Sequence, residues 1–144
     1  MRTITVSLFL MVAWTPLACF GQHLVPALTV EKNVAGCEYG TSVMYQNKSH
    51  ISLGAFYQTG LQRDKEGIVT PKSFTGAVVN IPITKSQNLN FYVQSRFGFV
   101  DKRFFVFTPG VETEIRVIKN VWMYVGSGLR MTYPSLTTKI SVKI

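Results

Sequence analysis

The sequence predicts an all-β fold: an antiparallel up-and-down transmembrane β-barrel of about eight strands with a polar, filled lumen, preceded by a cleavable signal peptide. Three observations predict it. Through most of the chain, residues alternate between an apolar set without charge and a set that carries nearly every glycine and the charges within strands. Clusters of Gly, Asn, Ser, Lys and Pro interrupt this alternation at regular spacing and leave segments of about nine to eleven residues, the length of a tilted strand crossing a hydrocarbon core. An apolar stretch with one basic residue stands ahead of the first strand.

Residues 1–21 read as the signal: Arg2, an apolar run from Ile4 to Trp14, Pro16, then Cys19 and Gly21 at the positions preceding cleavage before Gln22. A membrane-anchoring helix is disfavoured because the apolar run falls short of the roughly 20 residues a span needs and Pro16 follows it. Acylation at Cys19 is disfavoured because Pro16 stands where a Leu-like residue is usual. Removing the signal leaves residues 22–144 as one barrel domain, with Cys37 its sole cysteine and a charge of +7 where the whole chain carries +8. An intrachain disulfide or cysteine metal cluster is then excluded. A basic exported chain points to anionic lipid headgroups as its partner and away from nucleic acid.

The first strand, about 24–32, is weak, because Pro26 interrupts it and its alternation is poor; a seven-stranded or incompletely closed sheet is the alternative there. The second opposes Cys37, Tyr39, Thr41, Val43 and Tyr45 to Gly36, Glu38, Gly40, Ser42 and Met44. In the third, Leu53, Ala55, Tyr57 and Leu61 oppose Gly54, Gln58 and Gly60; in the fourth, Ala77, Val79 and Ile81 oppose Gly76, Val78 and Asn80. The fifth sets Phe91, Val93, Phe97 and Phe99 against Asn90, Gln94, Arg96 and Gly98. The sixth sets Phe105, Phe107, Val111 and Ile115 against Gly110, Glu112, Glu114 and Arg116, with a bulge or break expected at Pro109. In the last two, Val121, Met123, Val125 and Leu129 oppose Tyr124, Gly126, Gly128 and Arg130, and Leu136, Thr138, Ile140 and Val142 oppose Thr137, Lys139, Ser141 and Lys143.

The intervening breaks fall at Asn47–His50, Gln62–Lys72, Lys85–Asn88, Asp101–Arg103, Lys119–Asn120 and Tyr133–Ser135. With both termini in the periplasm, the breaks near 67, 102 and 134 lie outside the cell, and Gln62–Lys72 is the longest external loop.

Alternation alone also fits a soluble periplasmic, lipocalin-like barrel whose apolar face turns inward around an apolar ligand. Glycine and charge favour the membrane. Glycines on a solvated face weaken strands, whereas inside a narrow barrel they make room for long side chains. A lipid-facing Arg or Lys near the midplane costs about 2 to 4 kcal/mol, which explains a face without charge.

The polar face therefore predicts a lumenal network of Glu38, Arg96, Glu112, Glu114, Arg116, Arg130, Lys139 and Lys143, in which buried charges must pair. Hairpin register about residue 119 sets Glu112 beside Gly126 or Gly128 and predicts a Glu112 to Arg130 contact across the glycine. The cations Arg63, Lys65, Lys72, Lys102 and Arg103 fall in external breaks, where they are solvated turn residues or clamps for lipopolysaccharide phosphates or a protein partner.

On these features residues 24–144 resemble the small outer-membrane β-barrels of Gram-negative bacteria, in the style of OmpX and the OmpA transmembrane domain. The signal ending Cys19-Phe20-Gly21-Gln22 and the segment Thr108-Pro109-Gly110-Val111-Glu112 look like the short barrel proteins of Bacteroidota. Such barrels usually end in an aromatic residue read by the assembly machinery; this chain ends in Ile144.

Catalysis finds no foothold. His23 and His50 have no partner at triad or metal-ligand spacing, and no phosphate-binding glycine loop, HExxH or nucleophile elbow occurs. The expectation is a non-enzymatic outer-membrane protein without metal or cofactor, with a structural or surface-interaction role.

Overall fold

In the computed structural model, which describes residues 23–63, 66–130 and 133–144, eight antiparallel strands close into one barrel. They are β1 (His23–Asn33), β2 (Gly36–Gln46), β3 (Ser52–Arg63), β4 (Val69–Thr84), β5 (Leu89–Val100), β6 (Phe104–Ile118), β7 (Val121–Arg130) and β8 (Tyr133–Val142). Each strand pairs with its sequence neighbours, and β1 closes the sheet on β8 through the register Ala27↔Ser141 to Asn33↔Ser135. The alternative of seven strands or incomplete closure is thereby removed. The expected signal segment and Lys65 lie outside the described residues.

One rim carries the two ends, Leu24 and Ile144 exchanging backbone hydrogen bonds, together with the turns at 47–51, 85–88 and 119–120. We call this the terminal rim. The opposite, far rim carries the turns at 34–35 and 101–103 and the far ends of the β3–β4 and β7–β8 pairs, at Arg63↔Val69 and Arg130↔Tyr133. Within the 62–72 segment, residues 62–63 and 69–72 are strand, since β3 and β4 pair out to Arg63↔Val69.

The faces follow the alternation. Leu28, Leu53, Ile81, Phe107, Val111 and Ile140 lie outside, and Leu28 keeps 68% of its surface exposed. Val25, Met44, Phe56, Phe74, Val78 and Tyr92 fill the interior beside buried Glu, Arg, Lys, Asn and Gln side chains. That is the reverse of the arrangement a ligand-binding cup with an inward apolar face requires. Lys32 and Arg63 are outward strand cations, and both stand at the far-rim ends of their strands.

Glycine permits the tight wall. Gly76 and Gly98 pair directly, and a Cβ on either would collide with the other's Cα and the neighbouring carbonyl. Proline marks where ladders stop. Pro26, Pro109 and Pro134 each stand one residue past the end of one of their strand's two ladders, Pro82 two and Pro71 three, so the missing N–H removes little pairing. Pro109 therefore leaves no bulge: β6 runs in continuous register with β5 through Ser95↔Pro109, and its ladder with β7 begins one residue later at Gly110↔Gly128. The register shifts fall instead at Pro82/Thr84 and Arg116/Ile118.

Candidate functional site

The lumen is the chemically dense part of the molecule. Four carboxylates meet four cations there: Glu38 with Arg130 and Glu31 with Arg96, both at 2.5 Å, in the half toward the far rim; Glu112 with Lys139 at 2.6 Å and Glu114 with Lys143 at 2.5 Å toward the terminal rim. Each Glu is at most 2% exposed, so the charge must be matched locally. It is, one cation to each carboxylate.

The far half supports its pairs with aromatic faces. Phe56 and Phe74 meet edge to face with centroids 4.7 Å apart, the Arg130 guanidinium lies 4.3 Å from the Phe74 centroid, and Arg96 lies 5.9 Å from both rings. Arg96 also donates to Gln58 at 3.2 Å, and Gln62 donates to Glu38.

The terminal half uses neutral hydrogen bonds. Glu114 accepts from Tyr92 at 2.9 Å, from Asn90 at 2.6 Å and from the Tyr124 hydroxyl. Glu112 accepts from Asn80 and Gln94, each at 3.1 Å. Lys143 lies over Trp122 at 4.1 Å, and Gln46 donates to the Tyr92 oxygen at 3.3 Å. Beside Phe56, Arg96 and Lys139 the lumen keeps a space of only about 10 Å³, at most room for a single water. The interior is a plug.

The structure brings together Glu38, Arg96, Glu112, Glu114, Arg130, Lys139 and Lys143 in this plug but leaves Arg116 out. Arg116 is exposed at the terminal rim, where it donates to the Lys119 carbonyl at 3.0 Å and packs 5.8 Å from the Trp122 centroid. The expected Glu112 to Arg130 contact does not form. The register itself is Glu112↔Gly126, but Arg130 stands four residues further along β7, about 13 Å toward the far rim. Lys139 on β8 reaches Glu112 across the strand that separates them, and Arg130 crosses the barrel to Glu38. Glu31 completes the set and was not singled out in the sequence; Gln58, Asn80 and Tyr124 stood on the polar face there without a place in the expected network, a place Tyr92 also lacked.

Among the expected external residues, Arg63, Lys102 and Arg103 are exposed at the far rim. Lys72 is tied to Asp101 at 3.0 Å. The Ser73 backbone N–H, donating to Asp101 at 2.9 Å, and then Lys72 hold the Asp101 carboxyl below its ordinary value of 3.8. Asp101 and Lys102 both adopt left-handed backbone, φ 52 and 59, closing the β5–β6 hairpin through the Arg103 N–H to Val100 carbonyl bond. At the opposite rim His50 is a turn residue, and burial, followed by the Lys143 ammonium, lowers its imidazole's proton affinity. Among the described residues no three His, Cys, Asp or Glu converge on a metal position. Cys37 is a free thiol.

No family model and no curated protein matches the chain. Solved structures share its architecture. The N-terminal β-barrel domain of Pseudomonas aeruginosa OprF superposes with a TM-score of 0.63 at 11% identity, covering 85% of this chain and 97% of that one. Neisserial surface protein A gives 0.55 at 15% identity over 85% and 96%. A de novo designed transmembrane β-barrel gives 0.59 at 18% identity over 85% and 95%. At these identities the likeness is one of fold: the chain is an eight-stranded closed barrel resembling natural and designed outer-membrane barrels.

Proposed function

We propose that this protein is an integral outer-membrane β-barrel of a Gram-negative bacterium, with a plugged lumen and a structural or surface-interaction role in place of catalysis. The observation that carries this reading is the inversion of the barrel. Its interior is filled by a charge-balanced network, while the outward face between Lys32 and Arg63 at one end and the turns at 85–88 and 119–120 at the other is uncharged. An exposed apolar band of that extent suits lipid and not water.

In this reading the terminal rim faces the periplasm and the far rim the exterior. Arg63, Lys102 and Arg103, with Lys65, then meet lipopolysaccharide phosphates or a protein partner, and residues 1–21 direct export.

The test is expression of the full chain in a Gram-negative host, followed by fractionation and comparison of gel mobility with and without boiling. A heat-dependent shift of an outer-membrane band is expected. A soluble periplasmic product that needs no detergent overturns the reading. Val93→Arg, on the outward face of β5, sharpens it: near the midplane the substitution is expected to cost about 2 to 4 kcal/mol of barrel stability in lipid.

A further inference from the structure

Charge is shared unequally between the two rims. The chain has seven acidic side chains. Glu31, Glu38, Glu112 and Glu114 are used in the plug, and Asp101 is tied to Lys72 at the far rim. Asp64 and Glu66 fall in sequence between the far ends of β3 and β4. None is left for the terminal rim, yet each of its three turns carries an exposed cation. Lys48 lies between β2 and β3, Lys85 between β4 and β5, and Lys119 between β6 and β7, with Arg116 near the end of β6. Among the described residues none of these four is ion-paired with an acidic side chain. Like charges on one rim repel, and an anion bound there relieves the repulsion.

The setting of the cations narrows the kind of anion. Two strands separate each turn from the next, so the turns stand about 10 Å apart around the rim and form a ring. Each cation also has exposed aliphatic neighbours at the edge of the apolar band: Ile51 near Lys48, Ile83 near Lys85, and Val117 and Ile118 beside Arg116 and Lys119. Cations that encircle a barrel where its apolar face ends stand at the level of lipid phosphates. A folded acidic partner would have to cap the whole rim to meet them all.

The β6–β7 hairpin offers the most developed position on the ring. β6 outruns β5, since their ladder starts at Leu89↔Ile115 and the Arg116 N–H donates to the Asn88 carbonyl at 2.9 Å. Beside this projecting end lies an open hollow of about 610 Å³, lined by aliphatic Leu89, Ile115 and Val117 together with polar Asn88, Arg116 and Lys119. The Arg116 guanidinium donates to the Lys119 carbonyl and packs near the Trp122 ring, which steadies it while its remaining donors meet no carboxylate.

We infer that the terminal rim binds anionic phospholipid, with its principal site at the β6–β7 hairpin. There a headgroup phosphate lies between Arg116 and Lys119, and an acyl chain runs along Leu89, Ile115 and Val117. The inference rests on the membrane reading above, which puts this rim in the periplasmic leaflet.

The test uses the full chain in nanodiscs of phosphatidylcholine and phosphatidylglycerol, with heat-dependent mobility recorded on the same sample. Acyl-chain spin-labelled forms of the two lipids report, through their motionally restricted fractions, how strongly each associates with the barrel. Phosphatidylglycerol is expected to be preferred about two-fold or more, averaged over the surrounding lipid, and about 0.5 M salt to weaken the preference. Arg116→Gln with Lys119→Gln should remove most of it, and Lys48→Gln with Lys85→Gln a smaller share, while Arg116→Lys keeps the charge and retains it. If Arg116→Gln does not fold, Lys119→Glu alone, in an exposed turn, should still lower the preference. Both rims meet the same lipids in a nanodisc, so Arg63→Gln with Arg103→Gln is the comparison and should change the preference less. Equal association of the two lipids, or a preference lost with the far-rim pair and indifferent to the terminal-rim changes, overturns the inference. Loss of the mobility shift in the unaltered chain would instead strike the membrane reading.

Discussion

The two halves of the lumen solve the same electrostatic problem with different chemistry. Toward the far rim, Glu31 and Glu38 each meet an arginine, Arg96 facing Phe56 and Phe74 and Arg130 facing Phe74. Toward the terminal rim, Glu112 and Glu114 each meet a lysine, and the carboxylate lone pairs that a point-like ammonium leaves over are taken up by Asn80, Gln94, Asn90, Tyr92 and Tyr124. Arginine brings several donors on one weakly hydrated plane, so aromatic rings can surround it. Lysine brings a compact charge, so its carboxylate recruits neutral donors. The far half is held by pairs and the terminal half by hubs.

The largest consequence falls on Glu114, the hub with three neutral donors besides Lys143. Glu114→Ala strands a buried ammonium together with the donors of Tyr92, Tyr124 and Asn90, and should destabilise the barrel by about 3 to 5 kcal/mol in denaturant titration of the refolded protein. A loss under about 1 kcal/mol would show that water replaces the hub and would erase the distinction between the halves.

Removing both members of a pair probes the same difference more finely. Arg130→Met alone should cost about 3 kcal/mol, because Glu38 is left charged and buried, whereas Arg130→Met with Glu38→Leu should recover most of that loss. Lys143→Met with Glu114→Leu should recover far less, since the tyrosine and asparagine donors stay unmet. Equal recovery in both halves would contradict the contrast.

Replacing Arg96 by Lys isolates the aromatic contribution. The charge stays beside Glu31, but the planar group facing Phe56 and Phe74 and its donor to Gln58 are lost, at a cost of about 1 kcal/mol.

The smallest effect lies outside the lumen, at Asp101. Its carboxyl titrates below its ordinary 3.8, so the ties to Ser73 and Lys72 are present at neutral pH and lost as pH falls through that depressed value. Hydrogen exchange at the Ser73 amide should accelerate below about pH 4, relative to its intrinsic rate, while Asn90 and Tyr92 amides keep their protection. Asp101→Asn should remove this pH dependence.

The faces of β2 to β8 were legible in the sequence because a strand's side chains alternate with a period of two, so a charge or glycine assigns its face wherever one register is dominant. β1 was less legible. Its outward row includes Lys32 and its inward row includes Val25, Ala27 and Glu31, so neither row is purely apolar or polar. Partner choice was illegible for a different reason: register relates neighbouring strands, and these ion pairs join strands that are not neighbours. Neutrality was the usable clue. With Arg116 recognised as a rim residue, four inward cations face Glu38, Glu112 and Glu114, and the remaining strand carboxylate is Glu31.

The sequence separation within these pairs carries a consequence for how the barrel forms. Glu31 on β1 meets Arg96 on β5, Glu38 on β2 meets Arg130 on β7, and Glu112 and Glu114 on β6 reach Lys139 on β8 and Lys143 just beyond it. None of these contacts can be made within a single hairpin. On the membrane reading, a half-rolled sheet would have its ladders but not its charge partners, and would face an apolar surrounding with isolated ions. Such intermediates are penalised, so closure and neutralisation are expected to arrive as one cooperative event, late and nearly irreversible, with the carboxylates acting as a proofreader of the finished cylinder.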